Sequence, residues 1–306
     1  MKDTKRIDRY VQFPLCLLQE TYETKNNGLN IILDYGIIKY ATSFKYDITE
    51  VARQLMYAYY RDRPMIQDSL YNMICSFIDS DQLSTDEDYN GFSGASFYPD
   101  DSIQELLKLF ESDPKFKEGA IFRYQITQAE SFLNIKDYSI DRTIGNYNKG
   151  LSLKNSFESK YGPDACPSIK PTQIIEFRDS ERDIDLLRAY IGIKSLIGHH
   201  NYVSTHKTVI LSRMLGCKSN ESLEAFLKSN KNAREVYEKY KGRKRMDTLL
   251  YKLIERGFIM MLSKKHESRI YVSAKIKTPQ ELADIILKNR EENNLKKQLA
   301  EANKRL

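Results

Sequence analysis

The sequence predicts a mainly α-helical protein of 306 residues that also has a small β-hairpin and a long C-terminal helix. Apolar residues recur at intervals of three and four in most segments, which is the period of an amphipathic helix. Glycine, the residue most permissive of tight turns, occurs only 13 times. Two β-prone runs, 258–262 and 269–273, flank a polar loop, a pattern typical of a hairpin.

The composition is that of an ordinary globular protein, with 41% hydrophobic and 29% charged residues. No apolar run approaches the roughly 18–20 residues that cross a bilayer, and charge rather than an apolar stretch follows Met1. The four cysteines, Cys16, Cys75, Cys166 and Cys217, are scattered and form no CxxC pair. We therefore expect a cytoplasmic protein with reduced thiols, no membrane partner and no cofactor.

A mostly helical N-terminal domain is predicted for residues 1–161. Apolar spacing and capping residues predict helices around residues 31–38, from 47 to 59, over 65–78, after Asp100 or Asp101, and over 140–161. Residues 79–100 are rich in Asp with interspersed Ser, Gly and Asn, and are expected to form an acidic loop.

A linker is predicted over residues 162–180, because residues 162–173 hold three of the eight prolines. The second domain then spans 181–275. Its expected elements are a helix from Asp183 or Asp185 to Gly198, a strand at 202–204, a helix capped by Thr205 or Thr208 that ends at Gly216, one helix over 222–240, and a helix from 244 to Gly257.

Positive charge is concentrated in this second domain. Residues 200–278 contain 18 Lys and Arg against 7 Asp and Glu, whereas residues 1–199 contain 24 against 30. Such asymmetry is typical of a surface that binds a polyanion, although a solvated basic face without a partner remains the simpler alternative.

Two segments carry a family resemblance. Leu249-Leu250-Tyr251-Lys252-Leu253-Ile254-Glu255-Arg256-Gly257-Phe258-Ile259 is a helix running through Arg-Gly into a strand, and Ser204-Thr205-His206-Lys207-Thr208 precedes a helix through Met214-Leu215-Gly216. Over about 95 residues this order resembles the winged helix-turn-helix family, which implies binding of double-stranded DNA. Residues 217–243 intervene between the two helices, so either an extra helix is inserted or residues 221–228 form the recognition helix. The weak basic character of 221–228 favours the insertion.

The resemblance assigns the helix from Lys244 to the DNA major groove. Positive side chains at its N-terminus, where the helix dipole is also positive, cost stability unless an anion is bound there. The expected DNA contacts are Thr205, Lys207, Thr208, Ser212 and Arg213 beside the helix that ends at Gly216, Lys241, Arg243, Lys244 and Arg245 in a basic cluster, Asp247, Thr248, Tyr251 and Lys252 on the recognition helix, and Lys264, Lys265, His266 and Arg269 on the wing.

A C-terminal helix is predicted over 276–306, because Thr278-Pro279-Gln280-Glu281 combines a capping Thr, an initial Pro and an early Glu. Its apolar stripe at 282–286 resumes at Leu295, Leu299 and Leu306 after a polar interval. Either this helix forms a homodimer, or it packs at its base and is free at its tip.

Signals for catalysis are weak. His199, His200 and His206 lack a nearby cysteine, and the acidic loop, a candidate Mg²⁺ site, is more simply interpreted as solvated. The expected function is therefore non-enzymatic DNA binding, as a transcriptional regulator or a replication initiator of a mobile element. The alternatives are a protein-interaction scaffold with a winged-helix fold and a metal-dependent nucleic-acid enzyme.

Overall fold

The computed structural model describes residues 10–42, 45–61, 100–133, 139–178, 184–263 and 269–303. These residues are mainly helical, with two small antiparallel sheets and a long helix near the C-terminus, which confirms the predicted class at this level. The helix predicted over 65–78 and nearly all of the acidic loop lie outside the described residues. The chain divides into two compact units, one of 1–7 with 37–145 and one of 8–36 with 146–306.

The elements run in chain order as follows. The first part contains β1 (Val11–Gln12), a 3₁₀ helix (Leu15–Gln19), α1 (Glu20–Glu23), α2 (Lys25–Ala41), α3 (Ile48–Arg61), α4 (Asp100–Ser112), α5 (Pro114–Leu133) and α6 (Ile140–Tyr161). The second part contains β2 (Ser168–Ile169), α7 (Pro171–Arg178), α8 (Ile184–Ile197), β3 (Val203–Thr205), α9 (Lys207–Met214), α10 (Asn220–Ser229), α11 (Lys231–Tyr240), α12 (Arg243–Glu255), β4 (Met260–Ser263), β5 (Ile270–Ser273) and α13 (Pro279–Asn303).

The first unit is built from α3, α4 and α5 around one apolar cluster. Val51 of α3, Ile103 and Phe110 of α4, and Phe116 of α5 are all buried in it. Helix α3 begins where the sequence predicts, because the Asp47 carboxylate accepts a hydrogen bond from the Thr49 amide at 2.9 Å. Helix α5 was not predicted, although Asp113 directly precedes it and Pro114 is its first residue, a pair typical of a helix start.

The core of the second unit is α8, on which residues 186–194 are all buried. A helix that is buried around its whole circumference is enclosed by other elements of the fold. Helix α9 packs closely on it, and Gly192 makes this possible, since a Cβ there would lie 2.8 Å from the Met214 amide nitrogen. Helix α2 contributes residues 31–36 to this unit, and all six are buried rather than only those on the single stripe predicted.

The two units do not follow the predicted division at residues 162–180. Residues of that segment lie inside the second unit, where β2 pairs antiparallel with β1 in the register Val11 with Ile169 and Gln12 with Ser168. Downstream of β2, α7 is an unpredicted helix that starts at Pro171. Residues 8–36 therefore belong to the same compact unit as the predicted second domain.

The second unit also contains a three-stranded antiparallel sheet with the strand order β3-β5-β4. Strand β3 follows α8 in the chain, and β4 and β5 follow α12. The predicted hairpin is present, with Met260 paired to Ser273 and Ser263 paired to Ile270. Helix α13 covers this sheet through Leu282 and Ile286, which cluster with Tyr202, Met260, Leu262 and Tyr271. Its start is capped as predicted, since the Thr278 hydroxyl accepts from the Glu281 amide at 3.2 Å.

Two local predictions in this region were wrong. Residues 222–240 form two helices rather than one, because Asn230 leaves the helical conformation and its side chain caps α11 by accepting from the Ala233 amide. Helix α9 begins after His206 rather than after Thr205 or Thr208, and His206 makes no side-chain cap. Three helix ends were predicted correctly: Gly198, Gly216 and Gly257 all have the positive φ angles expected of a glycine that ends a helix.

Candidate nucleic-acid interface

Helix α12 presents a buried face and an exposed face. Its buried residues, Met246, Leu249, Leu250 and Leu253, fix the helix against the core. The opposite face carries Lys244, Thr248, Tyr251, Lys252 and Glu255, all exposed. Tyr251 is 57% exposed, so a large aromatic side chain stands in solvent at the middle of the helix.

The N-terminus of α12 is strongly electropositive. Its N-cap is Gly242, which has no side chain to accept from the first amides, and the first turn contains no acidic residue. Arg243, Lys244 and Arg245 occupy that turn and are exposed. Free amide groups, the positive end of the helix dipole and three cations thus coincide, and an anion placed there would relieve their repulsion.

Helix α11 determines where this basic turn lies. At its end, Lys239 Nζ and Tyr240 Oη both donate to the same oxygen, Oδ2 of Asp185 in α8, at 2.9 and 2.8 Å. Burial acts to raise the pKa of Asp185, but these two bonds and the charge of Arg188 outweigh it and hold the pKa below its usual value. The ionised carboxylate therefore anchors the chain at Tyr240, three residues before α12 begins.

The predicted contacts around α9 differ in accessibility. Thr205 is buried in β3 and does not reach the surface, whereas Thr208 is exposed. The Lys207 ammonium is paired with the Asp247 carboxylate of α12. The Ser212 hydroxyl donates to the Cys217 carbonyl at 3.3 Å.

Arg213 packs against α8: a Cβ atom added to Gly192 of that helix would lie 3.1 Å from the Cβ of Arg213. Burial lowers the pKa of its guanidinium. One of its terminal nitrogens is buried and has no hydrogen-bond partner among the described residues. Of the five contacts predicted around α9, Thr208 is the one that is exposed in the described part of the chain.

The remaining predicted contacts lie on α12 and the hairpin. Lys241 is exposed and pairs with Glu238, and Arg269 is exposed directly before β5. Lys264, Lys265 and His266 lie outside the described residues. The Thr248 hydroxyl donates back to the Lys244 carbonyl at 3.0 Å and remains exposed.

The alternative recognition helix, α10, has a different character. Its exposed residues include Glu221, Glu224 and Lys228. Its apolar side packs through Phe226 on Tyr22, with the two rings edge to face at 5.7 Å. Helix α10 is thus less basic than α12 and is committed to the N-terminal segment of its own unit.

Sequence reasoning missed two features of this surface. The anchor at Asp185 joins residues 54 and 55 positions apart, and nothing local in the sequence signals such a contact. The pairing of Asp247 with Arg243 was predictable, because residues four apart on a helix are neighbours. Arg243 Nε lies 3.7 Å from Asp247 Oδ2.

Comparisons of the chain with protein-family models, with curated proteins and with solved structures found no match. Among the described residues, no helix is long and apolar enough to span a membrane, and no three His, Cys, Asp or Glu side chains are grouped as metal ligands. The Cys16 and Cys217 side chains are buried, and Cys166 is exposed.

Proposed function

We propose that the second unit binds double-stranded DNA as a winged helix, with α12 as the recognition helix and the β4–β5 hairpin as the wing. The observation that carries the proposal is the uncapped start of α12, where Arg243, Lys244 and Arg245 are exposed beside free backbone amides. Phosphate oxygens are the ligands that such an arrangement favours.

The architecture around α12 supports this function. The order of α8, β3, α9, α12, β4 and β5 resembles that of the winged-helix family once α10 and α11 are regarded as an insertion. An exposed helix can enter the major groove, and its outward Thr248, Tyr251 and Lys252 are side chains able to contact base edges or the backbone. A DNA-binding unit of this kind fits a transcriptional regulator or the replication initiator of a mobile element.

Fluorescence anisotropy with a labelled random duplex, measured across a salt series, tests the proposal. The wild type is compared with the triple variant Arg243→Ala/Lys244→Ala/Arg245→Ala. We expect salt-sensitive binding by the wild type. In the variant, the slope of log K against log salt should be shallower by about 0.9 for each phosphate that is no longer neutralised.

A matched variant controls for net charge. Lys288→Ala/Lys296→Ala/Lys297→Ala removes three positive charges from the exposed surface of α13 and is expected to bind nearly as the wild type does. Absence of binding by the folded wild type at low salt would reject DNA binding. An equal decrease of affinity in the two triple variants would reject α12 as the site.

A further inference from the structure

The Asp247 carboxylate forms ion pairs with cations on two different helices. Its Oδ1 pairs with Nζ of Lys207, the first residue of α9, and its Oδ2 lies 3.7 Å from Nε of Arg243, the first residue of α12. The Asp247 and Lys207 side chains are only 26% and 22% exposed, whereas that of Arg243 is 87% exposed. Asp247 is also the single acidic residue between 243 and 254.

We propose that Asp247 is an internal counter-ion which positions Lys207 and Arg243 and weakens the sequence-independent attraction of this surface for DNA. The inference rests on the proposed function and adds a residue that limits the strength of DNA binding. Its carboxylate competes with DNA phosphates for the same two cations, since both are oxyanions that accept hydrogen bonds from ammonium and guanidinium groups.

The competition acts equally on every DNA sequence. Phosphate contacts carry no sequence information, so a carboxylate that reduces their number lowers non-specific affinity without reducing the contribution of base contacts. A protein discriminates through the difference between its affinities for two sequences, and a contribution common to both cancels from that difference. Asp247 therefore lowers the overall strength of DNA binding and leaves the discrimination between sequences to the base contacts.

A second role for an acidic residue on a recognition helix is to accept from the amino group of cytosine. The geometry of Asp247 disfavours that role. Both of its oxygens are directed to cations, and three quarters of the side chain is covered, whereas Thr248 and Tyr251 beside it are exposed.

The test is Asp247→Asn, which removes the charge and retains the shape, assayed with a random labelled duplex across salt. We expect binding several-fold tighter than that of the wild type at equal salt, with a slope steeper by about 0.9 for each cation released to a phosphate. Asp284→Asn is the matched control: it removes the same charge from exposed α13, where Asp284 accepts from Gln280, and should leave affinity and slope unchanged.

Unchanged or weaker binding by folded Asp247→Asn, from a wild type that does bind, would overturn the counter-ion role alone. A wild type that fails to bind would overturn the proposed function and this inference together. Circular dichroism establishes folding beforehand, and if the Asn variant is unfolded, Asp247→Ala removes the same charge and its salt slope decides.

Discussion

The Arg188 guanidinium donates to the Thr21 hydroxyl from Nε at 2.8 Å and to the Thr21 carbonyl from Nη2 at 2.5 Å, across 167 residues of sequence. The side chain is buried, pairs with Asp185 at 3.0 Å and stacks 3.8 Å over the Tyr22 ring. A buried charge is tolerated only when its donors are satisfied, as they are here. Arg188 thus ties the N-terminal segment to the helix at the core of the second unit.

Replacing Arg188 with Met should destabilise the protein strongly. The substitution leaves the Asp185 carboxylate and the Thr21 oxygens without their buried donor, and loss of one partner of a buried pair costs about 3–5 kcal/mol. Urea denaturation followed by circular dichroism measures the change. As a control, Lys231→Met breaks an exposed pair with Glu235 at 4.0 Å and should cost less than about 1 kcal/mol. Equal effects of the two substitutions would contradict this account.

A fragment of residues 181–275 should not fold cooperatively by itself. It lacks Tyr22, whose hydroxyl donates to the Met214 carbonyl at 2.9 Å and whose carbonyl accepts from Asn232. The apolar residues that pack on Tyr22 would face water. Thermal melts by near-UV circular dichroism should show no sharp transition for the fragment.

A longer chain should recover that transition. Joining residues 8–36 to 146–306 through a flexible linker restores the whole second unit, and Asn146 lies close to the junction because it donates to Asp34 at 2.6 Å. A sharp melt of the 181–275 fragment, equal to that of the joined chain, would show that the N-terminal segment is dispensable.

The stabilising contribution of Asp185 should depend on pH. Its pKa in the folded protein lies below the usual 3.8, so ionised Asp185 favours the folded state above that pH, and the contribution is lost as the pH falls through the folded value. The free energy of unfolding should therefore differ most between wild type and Asp185→Asn near neutral pH, and the difference should shrink below about pH 4. A difference that stays constant from pH 7 to pH 3 would refute the assignment.

Gly192 should not tolerate a methyl group. A Cβ at this position would lie 2.8 Å from the Met214 amide nitrogen and 3.0 Å from the Arg213 carbonyl carbon, both of them backbone atoms of the neighbouring helix. Gly192→Ala should therefore force α8 and α9 apart at a cost of about 1–3 kcal/mol, measurable in urea. Gly119→Ala, in a helix where a Cβ meets nothing within 4 Å, should instead stabilise by about 0.5–1 kcal/mol.

Truncations of α13 should separate its base from its tip. Ending the chain after Arg290 retains Leu282 and Ile286 and should leave the melting temperature unchanged, because the described residues 291–301 beyond it are all exposed. Ending it after Thr278 removes Leu282 and Ile286, exposes the sheet residues that they cover, such as Tyr202 and Met260, and should lower the melting temperature. The solution mass of the first truncation tests the predicted homodimer, since the same number of chains per particle as in the full-length protein would reject pairing through the tip.

Local chemistry in the sequence determined most element boundaries. Helix α6 spans the predicted 140–161, and the starts at Asp47 and Thr278 and the ends at Gly198, Gly216 and Gly257 follow from capping groups and from glycine's access to positive φ. These signals act within four or five residues, so one sequence suffices to identify them. The basic cluster at 243–245 and its exposure on an amphipathic helix were predictable for the same reason.

Tertiary structure alone decided which of these elements share a core. Residues 11–23 join α8 to α11 through bonds such as that between Thr21 and Arg188, and β1 with β2 draws the predicted linker into the same unit. It also buried Thr205 and paired Lys207 with Asp247. Such contacts between residues far apart in the chain depend on how surfaces meet after the helices form, and no local pattern of polarity or spacing encodes that packing.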